Sequence, residues 1–319
     1  MDKERTFGSA IGKIILMGEH SVVYGQPAIA IPFPNAEIRS EVSQGMGDTM
    51  LICSSYSGKL KDAPENFEGL RTMVKMIMEE FDHVLEAFNN VLKDFNINIE
   101  STIPSERGMG SSAAVAASTV RALYDYFEKP LDREILTRWV NCAEKIVHGN
   151  PSGIDTAIVV GEEPLYYIKG EPLEEIDCQL DAFLIVADTG EKGETKFAVA
   201  KVKEFVDETP HIGIKTIERL GKLVSESREK IENNDVEALG RNMNEAQELL
   251  ETLGVSNKAI ESLVEVARES GALGSKLTGG GLGGCIISLC KDKADAEKIS
   301  KALIDTGAAN TWIINMAGV

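Results

Sequence analysis

Apolar and polar positions change period several times along the chain, and each change marks an element. Residues 6–24 read as extended. The run Ile14, Ile15, Leu16 ends at Gly18, and a second run begins at Val22. Residues 28–31 and 38–42 predict two more strands, broken by Pro32 and Pro34. From 70 to 93, Met73, Ile77, Phe81, Val84, Leu85, Phe88 and Leu92 recur at helical spacing and predict one long helix. Residues 97–102 alternate as a strand. Helices follow over 112–127, with Ala116, Val120, Leu123, Tyr124 and Phe127 on one face, and over 131–148. Strands are predicted at 165–168 and 183–187, with the polar stretch 169–181 between them.

The second half reads as mostly helical, over 194–207, 211–233, 236–253 and 258–270, where Gly271 gives a stop signal. A strand at 274–277 enters a glycine cluster at 279–284, and a strand at 285–289 leaves it. Asp292 caps a helix running to Gly307, and 311–314 is a last strand. Both halves mix α and β, and no fixed-period repeat is present.

A length of 319 residues allows two domains. The stretch 169–181 places their boundary, giving 1–175 and 176–319. The first residues mix acids and bases with no apolar run behind them, against a secretory signal. No apolar run approaches the ~18 residues that span a bilayer. Five scattered cysteines fit no disulfide or zinc pattern, so a cytoplasmic location is expected. The formal net charge of −18 argues against a nucleic-acid partner. Any phosphate site must therefore work through local N–H groups, helix ends and a metal.

Three glycine-bearing segments carry candidate chemistry. In residues 104–114, PSERGMGSSAA, a strand precedes the glycines and a periodic helix follows. Gly108 and Gly110 permit close backbone approach, and N–H groups at a helix N-terminus attract an anion. A phosphate cradle and an ordinary capped turn both fit. No lysine follows, so this is not a Walker A loop. In the second segment, Glu144 near a helix end is followed by HGNPSGID, residues 148–155, whose turn could aim Asp155 into a cleft. Phosphoryl transfer needs one carboxylate to orient a hydroxyl and one to hold magnesium; a surface Glu and a turn Asp are the plainer alternatives. The third segment places five glycines within 279–284, more than a hairpin needs unless something passes close to the backbone. Lys13, Glu19 and His20 flank the first strand, where lone residues of these types are usually solvated.

Together, KIILMGEHSVVYG (13–25), GMGSSAA (108–114) and KLTGGGLGGC (276–285) resemble the three motifs of the GHMP kinase superfamily, in its order. Residues 18–29, 148–155 and 188–195 are similar to the branch of that superfamily whose acceptor is mevalonate. The resemblance implies a mixed α/β, two-domain fold. Its N-terminal domain is ribosomal-S5-domain-2-like, its C-terminal domain is ferredoxin-like α+β, and the active site lies between them. It also implies ATP and mevalonate as substrates, Mg²⁺, and a homodimer as the assembly. Asp155 would be the catalytic base, with Lys13 stabilising the transferring charge. Gly108, Met109, Gly110, Ser111 and Ser112 would hold the phosphates. Ser112 and Glu144 would ligate the metal, and Glu19, His20 and Thr195 would line the acceptor pocket. Gly280 and Leu282 stand where the superfamily more often has Ala and Gly. Other acceptors of the superfamily, or a non-catalytic binding role, remain alternatives at this stage.

Overall fold

The computed structural model describes residues 4–86, 94–102, 107–149, 151–193 and 195–319. The predicted helix tail 87–93, residues 104–106 of the first glycine segment, Asn150 and Glu194 lie outside the described residues. The chain divides into two compact units, each discontinuous in sequence. One holds 1–12, 36–104 and 110–162; the other holds 13–35, 105–109 and 163–319. The expected division at 175/176 runs along the chain, whereas compactness groups 13–35 and 105–109 with the C-terminal half.

In order, the elements begin β1 (Arg5–Met17), β2 (Ala28–Gln44), β3 (Met50–Cys53), β4 (Tyr56–Lys59), α1 (Glu68–Glu86), β5 (Phe95–Ser101), α2 (Ser111–Tyr126), α3 (Arg133–His148) and α4 (Ile154–Gly161). They continue with β6 (Leu165–Tyr167), β7 (Glu174–Glu175), β8 (Phe183–Asp188), α5 (Thr195–Glu208), α6 (Pro210–Glu232), α7 (Val236–Thr252) and α8 (Lys258–Glu269). The chain closes with β9 (Gly274–Thr278), β10 (Cys285–Cys290), α9 (Lys293–Asp305) and β11 (Asn310–Asn315).

In the first unit, β2 runs antiparallel to β5, with Ile38 opposite Ser101 and Gln44 opposite Phe95. β3 pairs β5 in parallel and forms a hairpin with β4. Period-two burial puts Ile38, Ser40 and Val42 inside and leaves Arg39 exposed. Ser40 is tolerated there because its Oγ hydrogen-bonds Ser118 Oγ at 2.8 Å and Thr119 Oγ1 at 3.1 Å, both on α2. Helix α1 buries Met73, Val74, Ile77 and Phe81, and α3 buries Leu136, Trp139, Val140 and Ala143. α3 packs on α1, α2 and α4, and α2 also packs on α4. Trp139 Nε1 donates to Tyr124 Oη at 2.7 Å, joining α3 to α2.

In the second unit, residues 28–30 of β2 pair β6. A separate antiparallel sheet has the order β11-β8-β10-β9. Counting its strands along the chain gives 4-1-3-2 in a β-α-β-β-α-β path, the ferredoxin-like arrangement that the resemblance implies. Leu184, Ile185, Val186, Ala187, Ile286, Ile287 and Leu289 form its core, covered by α7, α8 and α9.

Two local expectations differ from the structure, and two elements carried no expectation. The run from Val22 is not a strand: Ser21–Tyr24 is a 3-10 turn, set by His20 at φ 60° and Gly25 at φ 79°. Pro32 and Pro34 do not break β2, because they fall between the residues paired with β6 and those paired with β5. The hairpin β3–β4 had no strong signal, being two four-residue strands. Helix α4 also escaped notice. Its run Ile154–Gly161 is short and apolar, a pattern periodicity cannot assign.

Candidate active site

The first unit contributes side chains from three helices that pack on one another. α2 opens at Gly110, in the left-handed region at φ 71°, with no side-chain cap. By contrast α3, α7, α8 and α9 open on Asp132, Asp235, Asn257 and Asp292, whose side chains each accept a first-turn N–H. No side chain at the N-cap competes for the N–H groups that open α2, which lie at the end of the helix that favours negative charge. Ser111 and Ser112 lie half-buried in that first turn. On α3, Glu144 is buried at 2% exposure rather than solvated on the helix surface. The turn before Asp155 closes at Gly153, φ 92°, so Asp155 stands in the first turn of α4 rather than in a loop. A serine hydroxyl and a carboxylate are hard oxygen donors. This set fits Mg²⁺, which takes one or two protein ligands and fills its octahedron with water and phosphate oxygens.

The second unit contributes turns. Lys13 on β1 is buried at 5% exposure, and its N–H donates to Met109 O at 3.0 Å. Gly108 has φ 76°, and a methyl on it would stand 3.3 Å from Gly279 Cα. A methyl on Gly280 would stand 2.8 Å from Thr195 Cα, and one on Gly281 2.2 Å from Val255 O. The glycine cluster is therefore required by the protein's own backbone, and an alanine at 280 would clash with Thr195. Leu282 takes the left-handed region at φ 55°, with its N–H donating to Val255 O at 2.7 Å.

Glu19 and His20, expected to be solvated if taken singly, are also buried, at 3% and 6% exposure. Glu19 Oε1 accepts from Lys276 Nζ, which also donates to Leu277 O at 2.7 Å. Burial pushes the Glu19 carboxyl up and the Lys276 ammonium down, each opposed by the other's charge. Among the described residues Glu19 Oε2 is buried with no hydrogen-bond partner. His20 Nε2–H donates to Gly280 O at 2.9 Å, and burial pushes its pKa down to about 4. The ring is neutral at pH 7, with Nδ1 left as an acceptor. Thr195 begins α5.

The structure thus groups Gly110, Ser111, Ser112, Glu144 and Asp155 in one unit, and Lys13, Glu19, His20, Gly108, Met109 and Thr195 in the other. Sequence reasoning missed Lys276 as the partner of Glu19. Nothing in the sequence announced it: only the structure shows that every residue of β9 is buried, so that a lysine within it requires a counter-charge. Arg107 and Asp188 were missed too; their ion pair spans 81 positions, and nothing local announces it.

Comparison with known proteins assigns the class. Residues 72–162 match the GHMP kinases N terminal domain, and residues 227–309 match the GHMP kinases C terminal domain. The fold and these matches define a GHMP kinase. Over 312 residues the chain is 35% identical to a mevalonate kinase of Thermococcus sibiricus, covering 91% of this chain and 90% of the relative. It is 35% identical to one from Aeropyrum pernix, covering 94% and 93%. Among solved structures, mevalonate kinase from methicillin-resistant Staphylococcus aureus superposes with TM-score 0.75 at 35% identity, covering 99% of this chain and 100% of that one. Leishmania major mevalonate kinase in complex with R-mevalonate gives TM-score 0.79 at 25% identity, with 98% of each chain covered. The chain belongs to the mevalonate kinase family.

Proposed function

We propose that the chain transfers the γ-phosphoryl group of ATP to the C5 hydroxyl of mevalonate, giving 5-phosphomevalonate and ADP. The observation that carries this reading is the trio of packed helices α2, α3 and α4. Together they carry an uncapped helix N-terminus, a serine and buried carboxylate suited to a hard cation, and a second carboxylate.

In this reading the N–H groups of 108–112 take the phosphate oxygens of ATP. Local N–H dipoles do this against a net charge of −18. Ser112 and Glu144 would hold Mg²⁺, which would supply charge neutralisation to the phosphates of ATP. Asp155 orients the C5 hydroxyl and accepts its proton as the oxygen bonds to the γ-phosphorus. The bond from that phosphorus to the bridging oxygen breaks, and the electron pair leaves on ADP. The transfer is direct and in line, without a phosphoenzyme, and Lys13 offsets charge on the moving group. Glu19, His20 and Thr195 line the acceptor pocket. The enzyme works in the cytoplasm, and a homodimer is the proposed assembly. Among the described residues no helix is long and apolar enough to cross a membrane.

The test is coupled ADP release with ATP and Mg²⁺ across mevalonate, phosphomevalonate, homoserine and galactose. Mevalonate is expected to give the highest kcat/KM. A higher value for another acceptor, or no turnover with any, overturns the reading.

A further inference from the structure

One buried ion pair of the second unit has no part in the chemistry above. Arg107 directly precedes Gly108 of the phosphate segment. Its Nε donates to Asp188 Oδ1 at 2.7 Å, and its Nη2 donates to Gly190 O at 3.0 Å. The side chains of Arg107 and Asp188 are 12% and 5% exposed. The same Asp188 Oδ1 accepts the Gly190 N–H at 2.8 Å. One residue on, the Thr189 N–H and Oγ1 both donate to Gly284 O, at 2.9 and 2.7 Å. The Gly284 N–H in turn donates to Glu191 O at 2.8 Å. A methyl on Gly284 would stand 3.1 Å from Arg107 O. The guanidinium therefore ties the turn at 107–109 to the segment leading from β8 toward Thr195, and Thr189 and Glu191 tie that segment to the glycine cluster at Gly284.

A pair of this kind is a poor source of bulk stability. Desolvating two charges offsets most of their attraction. Among the described residues Arg107 Nη1 is buried with no hydrogen-bond partner, a further cost to stability. What the arrangement does supply is geometry. Two donors of one planar group, set on neighbouring acceptors, fix both the direction and the depth of the chain at 107. A phosphate segment built from backbone N–H groups binds well only if those groups are aimed before the ligand arrives.

We propose that Arg107 is a positioning residue of the nucleotide site: through Asp188 and Gly190 it presets the backbone of Gly108 and Met109 for the ATP phosphates. This rests on the reading of 108–112 as the phosphate segment. It is independent of which acceptor the enzyme uses. Lysine at 107 keeps the charge but cannot serve both acceptors with one planar group. Asparagine at 188 keeps an acceptor for Arg107 Nε and Gly190 N–H but removes the charge.

The experiment titrates a fluorescent ATP analogue with Mg²⁺ into wild-type, Arg107→Lys and Asp188→Asn proteins, with thermal melting as a fold control and steady-state kinetics alongside. Arg107→Lys is expected to weaken nucleotide binding by about tenfold or more through lost preorganisation. KM for ATP should rise in parallel, kcat should change less than KM, and melting should stay cooperative. Asp188→Asn is expected to show a smaller loss, because its geometry survives. Unchanged nucleotide affinity in Arg107→Lys overturns the proposal. A loss that tracks only a fall in Tm, with the ATP KM of the folded fraction unchanged, also overturns it. Binding is read without acceptor, so wild-type protein that binds nucleotide but ignores mevalonate refutes the assigned reaction and leaves this inference standing. Wild-type protein that binds no nucleotide refutes the phosphate-segment reading on which it rests.

Discussion

The two units offer their candidate side chains in different ways. In the first, Ser112, Glu144 and Asp155 stand on helices whose faces are fixed by ordinary apolar packing, Ala117 and Val120 on α2 and Trp139 and Val140 on α3 among them. In the second, Glu19, His20 and Arg107 sit in turns held by polar contacts between residues 81 to 260 positions apart in the chain. Helices can carry reacting groups on a scaffold that would fold the same way without them. The turns have no such independence: their positive-φ residues and buried charges are stable only when the distant partner is present. Chemistry placed on the first kind of support should be removable with little structural cost. Geometry built by the second kind should fail as structure when one partner is cut.

The largest expected effect tests the first half of that contrast. Asp155→Asn should lower kcat by roughly 10²–10⁴, the usual contribution of a positioned base, while nucleotide binding and Tm stay near wild type. A coupled ADP-release assay beside a melting curve measures both. Near-normal kcat would remove Asp155 from the reaction, and a collapsed fold would remove the contrast.

Next in size is the Glu19–Lys276 pair, with side chains 1% and 0% exposed. Lys276→Met leaves a buried carboxylate without its counter-charge and should destabilise the protein by about 3–5 kcal/mol in urea unfolding. Adding Glu19→Gln should restore most of that loss, because no unpaired charge then remains. A double variant as unstable as the single one would show that packing, not charge, holds the turn.

The smallest effect is a pH dependence at His20. Its folded-state pKa of about 4 lies below the ordinary 6.5, so the unfolded chain binds the extra proton between those values. Stability from this residue is complete above about pH 6.5 and is lost as pH falls toward 4, by up to about 3 kcal/mol. Unfolding free energies across that range should fall less steeply in His20→Gln than in wild type. Parallel curves would mean the ring is not the titrating group.

Most of the secondary structure was legible because it is local. Apolar residues at helical spacing marked α1, α2 and α3, and Asp292 marked the start of α9. Elements with little to repeat escaped: the short hairpin β3–β4, the eight residues of α4, and the 3-10 turn whose Val-Val-Tyr content imitates a strand. The site was legible as a set of motifs, but the setting of several residues was misread. Glu144 reads as a helix-surface acid until α3 packs among α1, α2 and α4 and buries it, and Glu19 reads as solvated until Lys276 arrives from β9.

By itself the sequence determined the order and type of most elements, the superfamily and the candidate site residues, because spacing, glycine placement and motif order are properties of neighbours. Only the tertiary structure decided which charges are buried and which residue satisfies each, as with Lys276 for Glu19 and Asp188 for Arg107. The physical reason is that desolvation and charge pairing depend on what lies nearby in space, and no sequence window contains partners 81 or 257 positions away.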